Sequence, residues 1–167
     1  MTELVSNCYE YITPILTVIG VFIAAYGIFR NTENAKKRAT IDLIIMQRND
    51  EALQKAITRV NEMAKTEGCI FSTYIAEAEG TREDRENILK VLNQREFVAA
   101  GVLRGAFHEP LFKEFEYSIL LRDWNNLNGF IQEIRRIRNS PTAFQEFETL
   151  AKKWKKRNQK FLLVTPL

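Results

Sequence analysis

Two regimes of hydrophobic patterning divide the chain. From Tyr11 to Phe29 it reads YITPILTVIGVFIAAYGIF, nineteen positions without a formal charge. A helix of that length covers about 28 Å, close to the hydrocarbon thickness of a bilayer. Pro14 is expected in its first turn, where the missing N–H costs little. Tyr11 and Tyr26 stand near its ends, where an amphipathic ring suits the headgroup level. Gly20, Ala24 and Gly27 recur at i, i+4 and i+7, a face of small side chains through which two such helices can associate.

Beyond Phe29 the apolar residues return at helical period. Between Asn34 and Gln47, Ile41, Ile44 and Ile45 mark one side, broadened by Leu43 and Met46. This helix either continues the apolar one as a stalk or restarts after the NTEN segment at 31–34. Asn49 or Asp50 can cap the next helix, with its stripe of Leu53, Ala56, Ile57, Val60 and Met63, and Gly68 ends it. Ile70, Phe71, Tyr74 and Ile75 are spaced for a short helix closed by Gly80. Thr81 with Asp84 resembles a capping box, opening a helix through Ile88, Val91, Leu92, Ala99, Val102 and Leu103 towards Gly105. Pro110 suits the first turn of a long helix. Its buried face is led by Phe112, Phe115 and Ile119 and continued by Trp124, Leu127, Phe130, Ile131, Ile134 and Ile137. Ser140-Pro141 reads as an N-cap with Pro at the first position of the last helix, which buries Phe144, Phe147, Leu150 and Trp154.

No stretch alternates at period two and no internal repeat is present. The expected fold is therefore all-α: an N-terminal transmembrane helix followed by a cytoplasmic helical bundle. The expected divisions are a short extracytoplasmic tail (1–10), the transmembrane helix (11–29), a helical stalk (30–48), the bundle (49–160) and a tail (161–167).

Charge sets the direction of insertion. The chain of 167 residues has 24 Lys and Arg, and every one falls at Arg30 or beyond. Arg30, Lys36, Lys37 and Arg38 follow the apolar stretch directly, while MTELVSNCYE before it is acidic. Positive residues stay inside, so the N-terminus is expected outside and the bundle at the cytoplasmic face of the inner membrane. The acidic start also argues against a cleaved signal peptide, which wants a basic one. Cys8 and Cys69 lie on opposite sides of the apolar stretch and cannot pair if it spans; neither has metal-ligand spacing.

RATIDLI (38–44), ILKVLNQREFVAAGVLRGAFHE (88–109), LLRDW (120–124) and FQEFETLAKKW (144–154) together resemble a family of small bacterial and phage proteins with a domain of unknown function. Its members commonly carry one N-terminal membrane helix and a helical cytoplasmic region. The resemblance covers roughly residues 30–156 and implies that topology and a bacterial or phage origin. It brings no active site, and a role in phage–host conflict rests on that association alone.

The remaining chemistry is sparse. His108, the one histidine, follows Arg104 by four residues. Arg and His close together suggest a helical ribonuclease, but the spacing is one residue short of the usual range and Gly105 interrupts the helix that should hold both. Asp84, Glu86 and Glu96 sit between basic residues, as on a solvated helix face with i, i+4 pairs. No phosphate loop and no nucleophile elbow occur, and no cofactor or metal is expected. Lys152, Lys153, Lys155, Lys156, Arg157 and Lys160 form a basic cluster after the last acid, Glu148. Beside an anionic leaflet such a cluster contributes about 1 kcal/mol per residue held near the surface. The expectation is a non-enzymatic, membrane-anchored interaction module that contacts membrane lipid and binds a protein partner or a second copy of itself. A membrane-tethered nucleic-acid binder using the basic cluster, and a ribonuclease centred on Arg104 and His108, are the alternatives.

Overall fold

The computed structural model describes the backbone of residues 2–75 and 79–164 and the side chains of 14–75 and 80–156. These residues form five α-helices and two short 3-10 segments, with no strand among them. The fold is all-α, as the patterning requires. α1 (Thr2–Asn49) is a single helix of 48 residues. Pro14 therefore lies inside it and not in the first turn, since nothing between 2 and 13 breaks a helix. Nor does the NTEN segment interrupt it. The Thr32 and Thr40 hydroxyls donate to the Ile28 and Lys36 carbonyls one turn back, and Lys36 pairs with Glu33 at 3.1 Å.

Asp50 ends α1 and starts α2 (Glu51–Lys65), its carboxylate accepting from the Leu53 N–H at 2.9 Å. The chain then turns through Gly68 at φ 79°, a conformation natural to glycine. A 3-10 segment, Phe71–Ile75, replaces the short helix expected there and packs against α4. α3 (Arg82–Leu103) starts without the expected capping box: the Thr81 side chain does not cap it, and Asp84 instead takes Arg59 of α2 in a two-point pair. Gly101 lets Phe107 fold back onto α3, because a Cβ there would collide with the ring.

α4 (Glu109–Arg138) begins with Pro110 in its first turn and ends on Asn139 in the left-handed conformation. α5 (Gln145–Val164) starts four residues later than Pro141 suggests, since Phe144 takes φ 56° and forms the turn. Its first amides are capped from another helix. The Glu96 carboxylate of α3 accepts from the Glu146 and Phe147 N–H groups at 3.1 and 2.8 Å.

One core joins all five helices. α3 packs on α2 and α5, and α4 on α5 and the first 3-10 segment. Trp124 meets Phe147 edge-on at 5.5 Å, while Trp154 lies 6.1 Å from Phe112 and 5.8 Å from Tyr117. α5 thus runs antiparallel to α4, and its C-terminal half comes to the end where α4 begins. The second half of α1 is built into the same core through Thr40, Leu43, Ile44 and Gln47. Ile41, Ile45 and Met46, read as part of that apolar side, face outward instead. A similar shift of phase occurs in the first half of α4, while Leu127, Phe130, Ile131 and Ile134 are buried as expected. Phe115 and Ile137 are exposed, and the buried row runs Phe112, Glu116, Leu120, Asp123, Leu127.

Candidate functional site

Three features stand out from the packed core: the bare first half of α1, its junction with the bundle, and a set of buried charges. From Pro14 to Arg30 every side chain of α1 is exposed, including Phe22 at 70% and Ile28 at 69%. A soluble helix does not leave that much continuous apolar surface in water. The helix is long and apolar enough to cross a membrane. Gly20, Ala24 and Gly27 share an exposed face of it, and Arg30, Lys37 and Arg38 stand exposed just beyond.

At the junction, Thr40 is wholly buried and bridges two helices: its hydroxyl oxygen accepts the His108 N–H at 2.8 Å and donates to the Lys36 carbonyl. His108 is the N-cap of α4, Nδ1 accepting from the Leu111 N–H at 3.2 Å. That acceptor role places the ring proton on Nε2, which faces the Glu33 carboxylate of α1 at 3.7 Å. Arg104 points elsewhere, donating to Glu146 at 2.9 Å. The structure thus employs the two residues of the ribonuclease alternative in separate interhelical contacts.

The buried charges escaped the sequence reading. Arg95 of α3 reaches Asp123 of α4 at 2.8 Å and Glu116 at 3.3 Å, with side chains only 4%, 4% and 10% exposed. Arg122 closes over the second oxygen of Asp123 at 3.1 Å. Burial pushes the Glu116 carboxyl above its ordinary range, and the Arg95 charge draws it back down. The available signal was spacing: Glu116 and Asp123 hold core positions in a row of otherwise apolar residues four and three apart.

The basic cluster is only partly free. Lys152 pairs with Glu148, and Lys153 with Glu109 at 2.7 Å. Lys155 and Lys156 are exposed, whereas the side chains of Arg157 and Lys160 lie outside the described residues. Trp154 is fully buried among them, its Nε1–H donating to Glu109 at 3.0 Å. Glu109 adjoins His108, so this end of α5 lies at the end of the bundle where α1 enters.

A family model for a domain of unknown function, DUF4760, matches residues 14–154. The chain belongs to the DUF4760 family. Comparison with curated proteins and with solved structures gives no match. The DUF4760 match takes in the apolar half of α1 as well as the bundle, and so covers Thr40, His108 and the Arg95–Glu116–Asp123 set. It stops at Trp154, which leaves Lys155, Lys156, Arg157 and Lys160 beyond the DUF4760 region.

Proposed function

We propose that this DUF4760 chain is a non-enzymatic, membrane-anchored interaction module of the bacterial inner membrane. The apolar half of α1 spans the bilayer with the N-terminus outside. The bundle, on the cytoplasmic side, binds a protein partner or a second copy. The observation that carries this reading is the continuity of α1: one helix is bare and apolar at one end and supplies core residues at the other. A span tethered by a loose linker would merely localise the bundle. A span continuous with a core helix fixes the bundle's height and rotation at the membrane, as a docking platform requires. The orientation is supported by the basic residues that follow the span and by the basic end of α5 lying at the span's end of the bundle.

The test uses the full chain in bacterial cells. It should stay in the membrane pellet after an alkaline carbonate wash. A reporter active only in the cytoplasm, fused after Leu167, should be active, and one active only outside should be silent. The opposite pair of signals would overturn the orientation, and release by carbonate would overturn the anchor.

A further inference from the structure

The bundle leaves one face of α1 uncovered. Thr40, Leu43, Ile44 and Gln47 face the core. On nearly the opposite side, Asn31, Asn34, Arg38, Ile41, Ile45 and Arg48 follow one another at alternating steps of three and four, all exposed. The same spacing runs back through Gly27, Ala24 and Gly20 without a change of phase. Apolar or small residues recurring with that period, here Gly20, Ala24, Gly27, Ile41 and Ile45, suit the seam of a two-stranded, left-handed coil. Ile41 and Ile45 are 37% and 51% exposed on it, apolar knobs with nothing in their own chain to fill.

Charge on the flanks says what covers this seam. Lys37 and Asp42 lie on its two sides, five residues apart, and neither forms an ion pair within the chain among the described residues. In a parallel pair of identical helices, residues five apart on opposite flanks meet across the seam. Lys37 of each copy would then face the partner copy's Asp42, so the flanks are complementary, while Arg38 and Arg48 on the seam extend their long side chains outward to keep their charges in water. Asn31 and Asn34, polar residues on the seam, are the type that fixes register and favours two strands. A Cβ on Gly20 or Gly27 would meet nothing in its own chain, so no internal contact calls for glycine there; close approach of a second helix would use both.

We infer that a second copy of this chain packs in parallel along the outward face of α1, from the apolar half down to Arg48. The parallel sense rests on the proposed anchor, since two copies inserted alike can meet only that way. The two bundles then hang on the outer sides of the pair, on the far faces of their α1 helices.

The test is oxidative cross-linking of the full chain in isolated membranes, with Cys8→Ala and Cys69→Ala removing the native thiols. Asn34→Cys, on the seam, should form disulfide-linked dimers at least several-fold more than Thr32→Cys, on the other side of the helix. Added to Asn34→Cys, either Lys37→Asp or Asp42→Lys should lower the dimer yield several-fold, and the two together should restore it. Rescue by the double reversal is a result that mere damage to α1 cannot imitate. Carbonate-resistant chain with equal linking at 32 and 34, or no rescue by the double reversal, would overturn the pairing and leave the anchor standing. Chain released by carbonate would overturn the anchor, and the parallel sense with it.

Discussion

Arg95 draws charge into the core from two sides, and the three groups have almost no water to solvate them. Desolvation costs several kcal/mol per ion, offset only while each charge keeps its partner. Arg95→Met leaves Glu116 and Asp123 buried without their main countercharge, so it should cost about 3–5 kcal/mol. The readout is a fall in the denaturation midpoint of the full chain in detergent. Adding Glu116→Leu and Asp123→Leu should recover most of that loss, since an apolar set of similar volume has no charge to strand. Glu116 also makes a signed prediction about pH. Its folded pKa is raised above the ordinary 4.5, so the folded state holds the proton more tightly than the unfolded one. Stability from this group is therefore present below 4.5 and is lost as pH rises through the folded value. Glu148 does the reverse: held down by Lys152 and then Arg135, it contributes stability that disappears only as pH falls below the ordinary value. Glu116→Gln should thus gain relative to the wild type as pH rises above about 4.5, whereas a parallel pH slope for the two proteins would disprove the assignment.

At the scale of elements, the helices were legible and their inner faces less so. The long helices followed from period, and Asp50 and Pro110 stand where the sequence places them, but the short helix at Phe71–Ile75 is 3-10 and the caps expected at Thr81 and Ser140 do not form. In α4, Phe112, Leu127, Phe130, Ile131 and Ile134 are buried as the period requires. Its first half is misphased by one residue because hydrophobicity alone selects Phe115, while the core accepts Glu116 with Arg95 as its partner. α1 was misread for a related reason: Thr40 and Gln47 are inside, and Ile41 and Ile45 are left outside. The start of α5 was set by something no local pattern contains, the Glu96 side chain arriving from α3. That cap is testable by itself. Glu96→Ala removes the acceptor for two N–H groups and should destabilise the protein by about 1–2 kcal/mol. Amide exchange should locate the effect, with Glu146 and Phe147 losing protection while the amides of α2 keep theirs.

For the whole molecule, the direction of α5 decides what its lysines can reach. Read as a run of six, the cluster looks uniformly available, but Lys152 and Lys153 are occupied by Glu148 and Glu109, acids that only the fold brings near. Lys155 and Lys156 are exposed at the end of the bundle where α1 enters, the end that faces the leaflet in the proposed topology. Two exposed lysines near an anionic surface are worth about 2 kcal/mol, or roughly thirty-fold in binding. The attraction decays within about 8 Å at physiological salt, so it should weaken steeply as salt is added. A chain beginning at residue 31, free of the apolar stretch, should bind vesicles containing phosphatidylglycerol and hardly bind neutral ones. Lys155→Gln with Lys156→Gln should remove most of that preference, whereas Lys152→Gln with Lys153→Gln should change it little, because those charges are already paired. Equal binding to neutral vesicles would assign the contact to the apolar FLLV at 161–164 instead. Tighter, salt-sensitive binding to RNA than to anionic lipid would transfer the basic end of α5 from the membrane to nucleic acid.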